Sequence, residues 1–374
     1  MTRTLAIMLA VVFAVMGFVS ADETVWIGEH IVDQPLRFAR KGLSVRPGAK
    51  VVFRGEGRIT IENASFVADG AAFESDGILT NAFRISVSGG KMDMTRCRVS
   101  CVRSHEPSKG KAHYIFGAFW SQYGGGSRLV GNEFRGSSAV TYANATGVEV
   151  RDNLFLRSDR AGVCLFHVVN PVVVRNEFMK SVGDALYLNA AEGADVRENR
   201  FTDCAVGMVN MSCCRCRFSG NSFFGGATGI AFRWAGGENL YSANLFEDVK
   251  GSAFTAIEAM GADNVFANNL VSRCGYGWSL GKQKSKRRIV LRDNAVSETG
   301  TGISIAEGEV DAPNNAFWKV RTPVVAKGEA KVSTPKMVTS DPLFKDPSRG
   351  DYRLNPDSPL LNAGVNGGNI GLYQ

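Results

Sequence analysis

Residues Lys282-Gln283-Lys284-Ser285-Lys286-Arg287-Arg288 pack five cations into seven positions. A run of ammonium and guanidinium groups concentrates polyanions around it, so the segment is a candidate grip on an anionic polymer such as a uronic-acid or sulfated polysaccharide. Nucleic acid would feel the same field, but no interleaved aromatic-and-basic stretch accompanies the run to stack bases. A second polar segment, Ser104-His105-Glu106-Pro107-Ser108-Lys109-Gly110-Lys111-Ala112-His113-Tyr114, carries two of the four histidines and two lysines. The eight cysteines are Cys97, Cys101, Cys164, Cys204, Cys213, Cys214, Cys216 and Cys274. Cys213-Cys214-x-Cys216 has half the look of a zinc knuckle, yet such sites usually pair two knuckles and there is no second. No metal or cofactor is implied. The thiols read as structural or disulfide-forming, with the pairing open.

These segments interrupt a repeat, and the repeat is what must position them. An Asn-x-(Phe/Leu/Val) unit recurs at Asn132, Asn153, Asn176, Asn199, Asn221, Asn244, Asn268, Asn294 and Asn315, spaced by 21 to 26 residues. A short alternating strand precedes each Asn, such as Val148-Glu149-Val150. Another lies about thirteen residues upstream, such as Ala185-Leu186-Tyr187-Leu188-Asn189. Three short strands per period of about 22 residues fit one rung of a right-handed parallel β-helix, with rungs ~4.8 Å apart. Asn is expected at the bend between the second and third strands, because it tolerates a left-handed backbone. Its amide is expected to hydrogen-bond along the axis, and the Phe two residues on to stack inside. Helical repeats are excluded by the period-two alternation.

Composition agrees with many strands and tight turns: 374 residues, 42 glycines, 23 phenylalanines and only 11 prolines, with 21% charge. Arg3 followed by an apolar run over residues 5–19 and Val19-Ser20-Ala21 reads as an export leader. The run is shorter than the roughly 20 residues of a membrane span. The expected division is a leader over 1–21, an N-terminal cap and first rung over 22–50, a β-helix of about 10–12 rungs over 51–332, and a capping segment over 333–374. Loss of the leader lowers the formal charge from +7 to +6. A capped solenoid without free strand edges reads as a monomer.

The repeat, the opening pattern Leu43-Ser44-Val45-Arg46-Pro47-Gly48-Ala49-Lys50-Val51-Val52-Phe53, and the tail from Asp341-Pro342-Leu343-Phe344 to Asn369-Ile370-Gly371-Leu372-Tyr373 resemble the bacterial right-handed parallel β-helix proteins of the pectate lyase-like superfamily. That resemblance implies a substrate path along the outer face of the first strand of each rung. Alternation then places outward or at the rim Trp120, Asn144, His167, Tyr187, Asn189, Arg233, Trp234, Glu258 and Lys282. Lys284, Lys286, Arg287 and Arg288 follow on the cationic rim.

Fold alone does not fix function in this superfamily. The paired carboxylates of inverting hydrolysis and the acidic cluster of a calcium-dependent lyase are not evident. The chemistry left is β-elimination: a base takes the proton α to a uronate carboxylate while cations neutralise the developing charge. Lys282, Arg233 and His167 are the candidates for those roles, and Tyr187 for protonating the leaving oxygen. Asn144, Asn189, Trp234, Glu258 and Trp120 would bind sugar with the four cations of the loop. The functional expectation is an exported lyase of an acidic polysaccharide; the alternative is a non-catalytic glycan-binding or cell-surface β-helix.

Overall fold

A computed structural model describes residues 23–76, 84–100, 118–136, 140–159, 161–234, 236–256, 258, 260–261, 263–283 and 289–372. The chain winds through three parallel sheets in strict rotation, giving about 12 turns of an all-β solenoid. Sheet A begins with Glu23–Trp26, sheet B with Glu29–Val32 and sheet C with Pro35–Ala39. Every third strand hydrogen-bonds to the next member of its sheet, so the repeat period becomes one rung. The opening rung is therefore residues 23–39, one turn earlier than the pattern at 43–53 suggests; that pattern forms the next rung through Gly42–Val45 and Lys50–Arg54.

Each strand sends alternate side chains into one continuous apolar core that runs from Trp26 to Phe317. In sheet B, Phe134, Phe155, Phe178, Phe201, Phe223 and Phe246 occupy the same register position on successive rungs. Their rings stack with centroids 4.6–5.1 Å apart and planes within 10°. Each buried Phe removes apolar surface worth about 1.5–3 kcal/mol from water. The stack also explains a recurrent glycine at the start of sheet C strands. A Cβ at Gly229 would lie 2.5 Å from Phe246 Cε1, and one at Gly302 would lie 2.4 Å from Phe317 Cε1. The ring edge fills the space a side chain would need.

The asparagines form a second ladder. Asn153 Nδ2 donates to Asn176 Oδ1 at 2.8 Å and Asn176 Nδ2 to Asn199 Oδ1 at 2.9 Å. Equivalent bonds continue through Asn221, Asn244, Asn269, Asn294 and Asn315. Two details differ from the sequence reading. The left-handed residue is the one before each ladder Asn: Asp152 (φ 58), Arg175 (φ 52) and Glu198 (φ 57), for example. The bend thus frees the Asn to point inward, where it satisfies buried amides and carbonyls. The ladder member in the seventh unit is Asn269 rather than Asn268, which evens two irregular spacings to 25 each. Asn268 instead takes the left-handed position (φ 55).

The C-terminal segment runs back along the outer face of sheet B. Tyr352, Leu360 and Ile370 pack on Leu270, Ala295 and Ala316, all buried. Asn268 Nδ2 donates to Asn369 O at 2.8 Å and Val365 N to Asp293 Oδ1 at 2.8 Å. Sheet B is consequently apolar outside as well as inside over its last four rungs, and the tail supplies its cover. Sheet C carries no comparable described segment, so its outer face is where an outward constellation can sit.

Candidate functional site

The outer face of sheet C follows the alternation read from sequence, without a one-residue slip. Trp120, Thr141, Cys164, Tyr187, Val209 and Ala231 form one outward row. Gln122, Ala143, Phe166, Asn189, Met211 and Arg233 form a parallel row nearer the bend. The residue after that row turns left-handed on each rung. Asn144 (φ 49), His167 (φ 52) and Trp234 (φ 62) hold this position, so three candidates from the sequence share one rim. All three are exposed, Trp234 by 55% despite its size.

The central part of the face is not the open polar strip its residue types suggest. Thr141, Cys164, Tyr187 and Val209 are each at most 3% exposed. Cys164, Tyr187, Val209 and Ala231 pack with Ala161, and Val206 and Met211 lean on the cluster. The Tyr187 hydroxyl lies 2.7 Å from Met211 Sδ, and Asn189 Nδ2 reaches the same hydroxyl at 3.5 Å. Burial pushes the Tyr187 phenol up to about 12 and the Cys164 thiol also to about 12. Both therefore keep their protons at neutral pH: a proton donor and a thiol, not a base and a thiolate.

Beside this cluster stands Asp184, the first residue of the strand Asp184–Asn189. Its side chain is only 6% exposed and lies 4.0 Å from Arg233 Nη2. Its second oxygen, Oδ2, is buried without a hydrogen-bond partner among the described residues. Burial raises its carboxyl above the usual range, and the Arg233 charge opposes that rise. Arg233 sits two rungs away in register, at the other side of the strand. Its guanidinium must lie across the Val209 and Ala231 positions to reach Asp184. The sequence reading missed this acid. It stood one residue outside the alternating segment taken from Ala185 onward, and no second acid flagged it by spacing.

The four expected catalytic residues do not form one cluster. Tyr187 and Arg233 share the Asp184 patch, and the Arg233 charge is felt at the Tyr187 phenol, opposing the rise that burial causes. His167 follows Phe166, the register partner of Asn189, and its ring packs edge-on against Phe166 at 4.3 Å. It lies three rungs from Arg233, roughly 14 Å along the axis at the rung rise. Lys282 ends the strand Tyr276–Lys282, two rungs beyond Arg233, or about 10 Å. It is 73% exposed and pairs with Glu307 at 3.7 Å. Trp120 is half-buried on the outward row, two rungs before Cys164. Glu258 is exposed.

Lys284, Lys286, Arg287 and Arg288, like His105 and His113, lie outside the described residues. Gln283, between Lys282 and Lys284, is buried, and its Oε1 accepts from Met260 N at 2.9 Å. The described cysteines are free thiols, and all but Cys214 are buried. Among the described residues no group of three or more His, Cys, Asp or Glu side chains is placed to hold a metal ion, and no helix is long and apolar enough to cross a membrane.

A family sequence model described as a right handed beta helix region matches residues 41–223 and 172–317. No curated protein matches the chain. Among solved structures, a Yersinia enterocolitica family 28 exopolygalacturonase aligns with a TM-score of 0.52 at 9% identity, over 85% of this chain and 73% of its own. A periplasmic alginate epimerase aligns at 0.48 and 10% identity, over 86% and 79%. The catalytic domain of an alpha-1,3-glucanase aligns at 0.47 and 10% identity, over 83% and 63%. At these identities the likeness is one of fold.

Proposed function

Because the chain belongs to the right-handed β-helix family, we propose that the outer face of its sheet C works on a polysaccharide, as an exported lyase cleaving an acidic, uronic-acid-containing chain by β-elimination. The observation that carries the reading is the patch where Arg233, Asp184, Tyr187 and Asn189 converge beside an exposed aromatic, Trp234. Arg233 is the cation that neutralises a uronate carboxylate as charge develops on the α-carbon. Tyr187, which keeps its proton at neutral pH, donates to the departing glycosidic oxygen. His167, on the same rim as Trp234 but three rungs from Arg233, meets a neighbouring sugar of the bound chain rather than the one whose carboxylate Arg233 neutralises. Trp234 offers a face for sugar stacking, with Asn189 for a hydroxyl. The cationic segment from Lys282 onward extends the field that draws a polyanion in. The protein is proposed to act as a monomer, without metal or cofactor.

The test incubates purified protein with alginate, pectate, chondroitin and heparin and follows ultraviolet absorbance of the unsaturated product. A rise with at least one polymer is expected. No rise with any of the four overturns the lyase reading. One observation favours a second reading, a non-catalytic glycan binder: the row from Thr141 to Val209 is closed by its own side chains. Saturable binding of a polymer with no product would support that reading instead.

A further inference from the structure

Tyr123 has no part in the reading above. It follows Gln122, the last residue of the strand Phe119–Gln122, and takes the left-handed turn (φ 60) where Asn144, His167 and Trp234 take it on their own rungs. Ala190 (φ 49) and Ser212 (φ 55) complete the series. Six successive rungs, from Tyr123 to Trp234, therefore present one residue each along this rim of sheet C.

The rim backbone is held by the sheet's own ladder. Tyr123 N donates to Ala143 O at 3.1 Å, Asn144 N to Phe166 O at 2.9 Å, His167 N to Asn189 O at 2.8 Å and Ala190 N to Met211 O at 2.8 Å. A left-handed backbone suits Asn, Asp and Gly and costs a bulky residue steric strain. Elsewhere the described non-glycine left-handed positions carry polar or aliphatic side chains; those with rings are Tyr123, His167 and Trp234, and all three fall on this rim. Tyr123 is 61% exposed, more even than Trp234 at 55%. Two large rings in strained backbone and turned to solvent contribute little to the core, which points to use at the surface.

The geometry points to a second aromatic subsite: Tyr123 and Trp234 stack on two sugars of one polysaccharide chain that lies along the rim, parallel to the solenoid axis. Five rungs separate them, roughly 24 Å at the rung rise. That rise is close to the length of one sugar in an extended 1,4-linked chain, so sugars keep step with rungs and about six of them join the two rings. Asn144 and His167, both exposed, meet hydroxyls of the sugars between. Ala190 and Ser212 are small and leave the chain room to pass. A stiff aromatic side chain on a fixed backbone offers a large contact area at low entropic cost. The inference rests on the polysaccharide reading of sheet C, and adds to it a chain direction and a minimum length.

Wild-type protein, Tyr123→Ala, Tyr123→Phe, Tyr123→Asn and Trp234→Ala are run through native gels containing alginate, pectate, chondroitin or heparin. Oligosaccharides of about three and seven sugars, bracketing the six-rung span, are prepared from each polymer that retards the wild type. They are titrated calorimetrically, and ultraviolet absorbance of the same samples reports any cleavage. Tyr123→Ala should weaken the longer oligomer by about tenfold or more, the size of losing one well-placed aromatic contact. It should leave the shorter, which settles beside Arg233 and Trp234, within about twofold. Trp234→Ala should weaken both. Tyr123→Phe keeps the ring and should bind like wild type. Tyr123→Asn should melt no lower than wild type, since Asn accepts the left-handed backbone, yet bind as poorly as Tyr123→Ala; that pairing separates a lost contact from a damaged fold. Unchanged affinity of Tyr123→Ala for the longer oligomer overturns the proposal, as do equal losses for both lengths or a wild type that no polymer retards. Binding with this length dependence and no product overturns the lyase reading alone; product without it overturns the subsite alone.

Discussion

Arg233 crosses two rungs of sheet C to bring Nη2 within 4.0 Å of Asp184 Oδ1, and the carboxyl it approaches is almost wholly buried. Burial raises that carboxyl's pKa more than the guanidinium lowers it. A carboxyl whose folded pKa exceeds its unfolded value destabilises the fold when ionised in both states, and does not when neutral in both. The sign therefore favours acid: the contribution is intact below the unfolded value near 4 and is lost as pH rises through the higher folded value.

Asp184→Asn is accordingly expected to raise the melting temperature at neutral pH. The gain should shrink as the comparison is repeated below about pH 4, where Asp184 is protonated in both states. Thermal melts across that range decide the matter. A lower melting temperature for the variant at neutral pH would mean that pairing with Arg233 outweighs the cost of burial.

The Asn ladder makes a larger claim on stability. Asn176 accepts from Asn153 N and Nδ2 and donates to Val150 O and Asn199 Oδ1, all in the buried interior. Asn176→Ala removes these together and leaves Val150 O and the Asn153 amide unsatisfied. A loss of about 2–4 kcal/mol is expected, since each orphaned buried group costs roughly 1–3 kcal/mol. Urea unfolding measures it, and a loss below about 0.5 kcal/mol would be no more than an ordinary surface substitution gives.

How far the sequence announced this structure depends on whether a feature repeats. Asn153, Asn176 and Asn199 recur at one period, so their ladder was legible, and Phe155, Phe178 and Phe201 followed. The left-handed position was displaced by one residue because Asp, Arg and Glu fill it as readily as Asn does here. Asp184 was invisible for the opposite reason: it occurs once, and burial rather than spacing gives it meaning. The packing of the tail rests on contacts such as Asn268 to Asn369, separated by 101 residues. No local pattern encodes a partner at that distance. Within the expected site, alternation placed Tyr187 and Arg233 on one face correctly. It could not say that rung count would hold Lys282 apart from them.

The tail offers a test of its own. Leu360 is fully buried against the outer face of sheet B, and Arg273 fastens the same region through Glu247, Asp248 and the Tyr352 hydroxyl. Leu360→Ala should cost about 2–5 kcal/mol, the range for emptying a packed leucine site. Because a solenoid's rungs depend chiefly on their neighbours, the loss should concentrate at the C-terminal end. Hydrogen exchange should show deprotection of Leu270, Ala295 and Ala316 before that of Phe155 and Phe178. Uniform deprotection along the axis would mean the tail is integral to the whole stack.

The proposed chemistry separates two cations that the sequence treats alike. Arg233 is partly buried against a carboxyl and beside Tyr187, where a charge is weakly screened and an interaction with a developing carbanion is strong. Lys282 is 73% exposed and already paired with Glu307. If one of the four polymers is cleaved, Arg233→Ala is expected to lower kcat by about 100-fold or more, the size seen when a preorganised charge-stabilising group is removed. Lys282→Ala should alter kcat/KM by no more than about fivefold, in keeping with the 0.2–1 kcal/mol of exposed ion pairs. Its effect should grow at low ionic strength, because the lysine then acts through the long-range field. Equal losses from both variants would place the reacting sugar farther along the face, between the two rungs, and remove Tyr187 from the donor role.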